Sequence, residues 1–209
     1  MTSRRPRLFL LNASLAGDAG NTAVLLAELR THLAPHADIT LVTLAASTAP
    51  ADSATPASNT AWDFATLRPQ LTAADGFVIG TGTHWDSWSS LLQKFLEDAT
   101  PAEGTALWLG KPAAIIVSEH STGGKSVLSR LQGVLVTLGC TIPPMSGLVL
   151  SRAALLAAHH APDDAATRDL WCREDLAVIA HNLLEATQGT HNWRVWPVDR
   201  TDFAARWLE

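Results

Sequence analysis

Five short runs rich in apolar residues, at 7–12, 38–44, 76–80, 111–118 and 145–150, alternate along this chain with stretches whose leucines and valines recur at helical spacing. The first run holds Leu8-Phe9-Leu10-Leu11 before polar Asn12. Successive side chains of a strand point to opposite faces, so four consecutive apolar residues ask for burial on both. Strand and helix in regular alternation meet that demand through right-handed crossovers that lay helices on either side of a parallel sheet. The chain is therefore expected to be α/β. Ligands of such sheets bind at the carboxyl ends of the strands, which directs attention to the loops after the first, third and fourth runs.

The helical stretches have recognisable ends. Leu25, Leu26, Leu29 and Leu33 give 21–33 one apolar face, with Asn21 or Thr22 as the N-cap. A short helix over 64–71 is interrupted or begun at Pro69, and 88–98 is amphipathic through Leu91, Leu92, Phe95 and Leu96. The stretch 126–138 stops at Gly139, where a C-cap favours positive φ, and 166–186 reads as a long closing helix. Residues 45–59 carry almost nothing to bury and are expected to form a surface loop.

At about 150 residues per domain, 209 residues give one domain, taken as 1–188, followed by a Trp-rich tail at 189–209. With 47% hydrophobic and 17% charged residues the chain can build a core, which excludes disorder for most of it. A formal charge of −5 repels phosphate backbones, so nucleic acid is not expected as a partner. Cys140 and Cys172 are too few for a disulfide framework or a four-ligand zinc site and read as reduced thiols, one optional bridge staying open. The apolar run after Arg4-Arg5 is too short for a signal peptide, and no run approaches the ~20 apolar residues of a membrane span. A cytoplasmic protein with no membrane partner is the expectation.

The first loop, 12–22, gathers small residues, hydroxyls and glycines at the entrance of a helix. Backbone N–H groups and the positive end of the helix dipole suit a phosphate there, with Ser14, Asn21 and Thr22 as the side chains placed on it. An ordinary strand-to-helix turn has the same composition. The loop lacks G-x-G-x-x-G, and Asp18 opposes a phosphate unless turned away. In the second loop, Thr83-His84-Trp85-Asp86-Ser87, an imidazole and an indole, joined by Trp88, can wall a flat heterocycle while main-chain groups meet its edge. A core role for either tryptophan stays open. The third loop, Ser118-Glu119-His120-Ser121-Thr122-Gly123-Gly124-Lys125-Ser126, ends like a P-loop, but Glu119 stands where that pattern needs glycine, which argues against an ATPase. Its hydroxyls, its glycine pair and His120 suit the polar rim of a ring, or a plain polar turn.

Other features are weaker. His159 and His160 are adjacent, diverge on a helix and read as a surface pair rather than a metal site; no G-x-S-x-G elbow marks a hydrolase. The tail holds three of the eight tryptophans and suits either an interface or packing back on its own domain.

With these loops in place, the chain resembles the NADPH-dependent FMN reductase family of flavodoxin-like NAD(P)H-dependent oxidoreductases over about residues 7–150. Leu11-Asn12-Ala13-Ser14 through Gly20-Asn21-Thr22 is similar to its phosphate loop, and Ala74-Asp75-Gly76-Phe77-Val78-Ile79-Gly80-Thr81 with Leu92-Gln93-Lys94-Phe95-Leu96-Glu97-Asp98 to its most recognisable segment. Gly110-Lys111-Pro112-Ala113-Ala114-Ile115 and the Gly123-Gly124 loop continue the likeness. The resemblance implies a flavodoxin-like three-layer sandwich with a five-stranded parallel sheet in the order 2-1-3-4-5. It implies FMN as cofactor, NADPH or NADH as co-substrate, a small-molecule electron acceptor, and a homodimer or tetramer. Carried over by position, Ser14, Asn21 and Thr22 hold the phosphate. Thr83, His84, Trp85, Asp86 and Ser87 approach the ring, and Ser118, His120, Ser121 and Gly123 cover its pyrimidine side. His84 is the candidate for substrate contact and the one catalytic residue named. The family commonly has Pro, Tyr and Gly where this chain has Gly82, His84 and Asp86.

Two functions are consistent with this reading. The first is an FMN-dependent NAD(P)H oxidoreductase that reduces a quinone, a nitro or azo compound, or another flavin. The second is a non-catalytic flavodoxin-like electron carrier or interaction module with weak flavin binding, which the three substitutions in the second loop would favour.

Overall fold

A computed structural model describes residues 4–45, 62–160, 171–189 and 191–196. The strands are β1 (Arg7–Asn12), β2 (Asp38–Thr43), β3 (Gly76–Gly82), β4 (Ala113–Glu119) and β5 (Gly147–Ser151). The helices are α1 (Asn21–Leu33), α2 (Phe64–Ala73), α3 (Ser90–Ala99), α4 (Gly124–Leu138), α5 (Arg152–His160) and α6 (Leu176–Ala186). All four strand pairings are parallel and the order is β2-β1-β3-β4-β5, as the resemblance implied.

The consecutive apolar residues of β1 divide as strand geometry requires. Leu8 and Leu10 join Val78, Ala114, Ile116 and Leu148 under α1 and α6, packing on Leu26, Leu29, Ile179 and Leu183. Phe9 and Leu11 face the opposite layer, where Phe77, Ile79, Ile115 and Val117 meet Leu71 of α2, Phe95 of α3 and Leu131 of α4. Both faces of the sheet are thus dry across β1, β3 and β4, while edge strand β2 buries none of its residues, and the three layers follow.

Several ends differ from the sequence expectation. α2 runs through Pro69: its apolar stripe Phe64, Leu67 and Leu71 is buried while Pro69 is exposed, so the carbonyl that loses its partner can meet water. Asp63 caps this helix by accepting from Ala65 N at 3.1 Å. The N-cap of α1 is Gly20, not Asn21 or Thr22, and no side chain caps it. α3 starts at Ser90 rather than Trp88, because Ser89 Oγ accepts from Leu92 N at 3.1 Å. α4 starts two residues early, at Gly124, and ends at Gly139 with φ 119° as expected. β4 begins at Ala113, after Lys111 has turned its ammonium to the carbonyls of Leu71 and Thr72 at the end of α2. β5 begins at Gly147, because Met145 has φ 52° and cannot continue a strand.

The closing helix is shorter than expected. It covers Leu176–Ala186 after a 3₁₀ turn at Arg173–Asp175, in which Asp175 accepts from Cys172 N at 2.9 Å. Residues 161–170 lie outside the described residues, as do 46–59 of the expected surface loop and 197–209 of the tail. α5, which periodicity did not reveal, buries none of its residues. The described part of the tail folds back: the Trp193 ring lies so close to Gly110 that a Cβ there would stand 2.4 Å from Trp193 Cδ1. Cys140 is buried and Cys172 half-buried, both free; burial pushes the Cys140 thiol up to about 12.

Two predictions follow from this packing. A Cβ at Gly80 would meet Leu26 Cδ1 at 2.7 Å and Thr22 Cγ2 at 2.8 Å, both on fully buried residues, so Gly80→Val should cost about 1–3 kcal/mol in urea unfolding. Burial pushes the Asp75 carboxyl up, but hydrogen bonds from Arg4 (2.7 Å) and Arg7 N (2.7 Å) outweigh it and hold it below the usual value. A carboxylate depressed in this way stabilises the fold above its unfolded value, and that contribution is lost as pH falls through the folded one. The melting-temperature gap between wild type and Asp75→Asn should therefore narrow on acidification below about pH 4.

Candidate functional site

The carboxyl ends of β1, β3 and β4 bring the three loops together. In the first, buried Asn12 donates from Nδ2 to Gly17 O at 3.1 Å and accepts from Ser14 N at 3.2 Å, which folds the loop over the strand end. Ser14 Oγ accepts from Ala16 N at 3.3 Å. Thr43 donates to Asp18 Oδ1 at 2.5 Å, so this carboxylate is engaged at the end of β2. Gly20 leaves a close approach: a Cβ there would stand 2.9 Å from both Ser14 Oγ and Ala16 Cβ. With no side chain capping α1, the main-chain N–H groups of Asn21 and Thr22 remain open to a ligand, while those of Ala23 and Val24 go to Gly20 O.

α4 is the opposite case. Glu119 Oε2 accepts from Gly124 N at 2.5 Å, so the helix that follows the P-loop-like stretch is closed by its own chain. Gly123 precedes it with φ 95°. This carboxylate is the physical reason that Gly124-Lys125-Ser126 forms no phosphate cradle.

The second loop is a two-residue turn. His84 N donates to Ser87 O at 2.7 Å and Ser87 N to His84 O at 2.9 Å, while Trp85 and Asp86 have φ 50° and 58°, the pattern of a type I′ turn. Glycine or asparagine usually takes those positions, and an indole there is strained. Trp85 is fully exposed, whereas Trp88 is half-buried against the core, with Nε1 donating to Gln93 at 2.9 Å. His84 Nε2 lies 3.4 Å from where a Gly82 Cβ would be, with Ser118 Oγ 3.9 Å from the same point, so a Cβ there would make only ordinary contact with the imidazole. Thr83 N donates to Ser118 O at 3.0 Å, and Thr83 Oγ1 is buried with no hydrogen-bond partner among the described residues.

Cross-ties hold the loops in register. Thr22 Oγ1 and Ser118 Oγ are 2.8 Å apart, joining α1 to the end of β4. Asp86 packs on Gly123, where a Cβ would fall 2.2 Å from its Oδ1, and Asp86 O accepts from Arg130 of α4, whose guanidinium lies 5.2 Å from the Trp88 ring centre. Ser89 donates to Ala13 O and its N–H meets Thr81 Oγ1 at 3.2 Å. The structure thus gathers Ser14, Asn21, Thr22, Thr83, His84, Asp86, Ser87, Ser118 and Gly123. Trp85 projects away into solvent. His120 and Ser121 lean toward β5 and α5: His120 O accepts from Ala153 N at 3.0 Å, His120 Nε2 is 3.5 Å from Arg152 Nη1, and Ser121 O accepts from Ser151 Oγ at 3.4 Å. Ser89 and Arg130 were missed; only the N-cap spacing of Ser89 before Leu92 could have flagged the first. His159 and His160 form a ring pair 5.3 Å apart on α5.

The NADPH-dependent FMN reductase family profile matches residues 6–154. No curated protein matches the chain. Among solved structures, RosB with bound 8-demethyl-8-formylriboflavin-5′-phosphate superposes with a TM-score of 0.64 at 13% identity, covering 87% of this chain and 79% of RosB. An oxidoreductase from Corynebacterium diphtheriae gives 0.62 at 18%, covering 88% and 98%. FerB, an NAD(P)H:acceptor flavoenzyme from Paracoccus denitrificans, gives 0.59 at 17%, covering 87% and 97%. At these identities the likeness establishes the flavodoxin-like fold, while the profile spans well over half of the chain. Nothing in that match favours a non-catalytic module. The chain belongs to the NADPH-dependent FMN reductase family and is an NAD(P)H-dependent oxidoreductase that uses FMN.

Proposed function

We propose that this oxidoreductase holds FMN across its three loops and passes electrons from NAD(P)H to a quinone, a nitro or azo compound, or a second flavin. The observation that carries the reading is the pairing of an uncapped α1 start with the buried, partnerless Thr83 hydroxyl one strand away in the sheet. One is a seat for a phosphate, the other a donor waiting for the polar rim of a ring. The flavin-derived molecule held by RosB fits the same kind of occupant.

FMN, when bound, would supply the redox chemistry, hydride acceptance from NAD(P)H and two-electron reduction of the acceptor. The protein's part is to bind and orient. Ser14, Asn21 and the main-chain N–H of Thr22 meet the phosphate dianion, and the missing side chain at Gly20 lets it approach. Thr43 keeps the Asp18 charge out of that seat. Thr83 and the 83–87 main chain meet the ring edge, with Ser87 closing the turn. Asp86, clamped by Gly123 and Arg130, fixes the loop's position, while Trp85 stays outside the flavin seat. Ser118 and Gly123 border the pyrimidine side, whereas His120 and Ser121, turned toward β5 and α5, stand beyond it. His84, held over Gly82 at the mouth, contacts the acceptor and can hand it a proton.

Self-association as a dimer or tetramer would cover Trp85 and the exposed Leu156 of α5. Two unpaired cysteines fit a reducing, cytoplasmic setting. No described helix is long and apolar enough to cross a membrane. We read 1–188 as the flavin-binding domain and 189–209 as its appended tail.

The deciding experiment is a visible spectrum before and after incubation with FMN and desalting. A retained yellow chromophore that NADPH bleaches without air is expected; a colourless protein that cannot be loaded would refute the proposal. Ser14→Asp should leave the fold intact and weaken FMN binding at least 10-fold by fluorescence titration, because a carboxylate would face the phosphate. Trp85→Gly should raise apoprotein stability by up to ~1 kcal/mol in urea unfolding, through relief of the left-handed indole, and leave FMN affinity within about 2-fold, because the ring stands in solvent.

A further inference from the structure

The carboxyl edge of the sheet is electrically lopsided. Toward β2 it carries the Asp18 carboxylate on Thr43; toward β5 it carries His120, Arg152 and Arg173. On that second side a recess of about 500 Å³ opens between α1, the ends of β4 and β5, and α5. Asn21 and Ser118 form its inner wall, so it continues from the first and third loops, and Arg152, Leu155 and Arg173 form the outer one.

Its charges are not equivalent. Arg173 is paired, with Nε 2.6 Å and Nη2 2.5 Å from Glu28 Oε2. Glu119, also on the wall, is tied to Gly124 N. Arg152 has no carboxylate within salt-bridge distance among the described residues, and its guanidinium contacts His120 Nε2 at 3.5 Å. One planar fork of donors therefore stands over a nucleoside-sized cavity beside the loops that border the flavin ring.

We propose that this recess receives the adenosine end of the nicotinamide co-substrate and that Arg152 binds its 2′-phosphate, which makes NADPH the preferred reductant over NADH. The inference rests on the flavin seat proposed above. A nicotinamide placed at the ring must send its far end along the sheet edge toward β2 or toward β5. The carboxylate at β2 repels a phosphate dianion, while the Arg152 guanidinium at β5, paired with no carboxylate among the described residues, attracts it. Leu155 offers an apolar surface for the adenine. Arg152 is a specificity-determining residue in this scheme and takes no part in hydride transfer.

The test uses the FMN-loaded enzyme, with Arg152→Ala and Arg152→Lys beside wild type. Wild type should favour NADPH. Arg152→Ala should raise the KM for NADPH about 10- to 100-fold, leave kcat within about 2-fold, and leave NADH kinetics unchanged, with Lys restoring part of the loss. Equal effects on both reductants, or a wild type that prefers NADH, would overturn the assignment. So would a variant that slows turnover of FMN but not riboflavin as acceptor, since the phosphate would then belong to the acceptor. Calorimetric titration with adenosine 2′,5′-bisphosphate and adenosine 5′-monophosphate separates this proposal from the flavin reading, because it needs no flavin. The bisphosphate should bind more tightly, with the difference erased in Arg152→Ala; equal affinities in wild type refute the recess even if FMN binds, and a clear difference sustains it even if FMN does not.

Discussion

Everything in this molecule depends on keeping both faces of one parallel sheet dry. Parallel strands cannot be joined by tight hairpins, so each connection must climb over a face, and the apolar side chains of β1, β3 and β4 give those connections something to bury. The consequence is directional. All five strands end at the same edge, and the loops that leave β1, β3 and β4 emerge side by side although they are far apart in sequence. Gly80 shows how tight the arrangement is, since the space its missing side chain leaves is filled by Leu26 and Thr22 of α1. Thr22 then reaches Ser118 on β4. One close approach under the sheet thus sets the alignment of two loops above it.

The architecture was legible because its determinants are periodic. Leu25, Leu26, Leu29 and Leu33 announce α1, and Gly139 announces the end of α4, since each residue answers a local geometric demand. The site was legible only as a set of loops. Which hydroxyls face which partner depends on pairings between distant residues, such as Ser89 on Ala13 or Arg130 on Asp86, and no local pattern encodes them. The start of α4 was misplaced because the Glu119 carboxylate reaches forward to extend the helix by two residues. Helix α5 escaped detection for a different reason. It is only nine residues long and buries none of them, so it is too short for a helical period to stand out.

The second loop concentrates the departures from the family pattern. The carboxylate of Asp86 is answered by the space above Gly123, whereas Gly82 leaves room for a Cβ in ordinary contact with His84. A turn with two non-glycine residues at positive φ persists because backbone bonds at both ends and the Arg130 contact over-determine it.

The contrast between the two helix starts has a further consequence. α1 begins bare and α4 begins plugged by Glu119, so the two positive poles that face this edge are not interchangeable. A long molecule with a charged end and a flat end meets a keyed socket, and only one of its two orientations places the charge where a pole is open. In the proposed binding mode, the handedness of docking is thereby written into a single acidic side chain that never needs to touch the ligand.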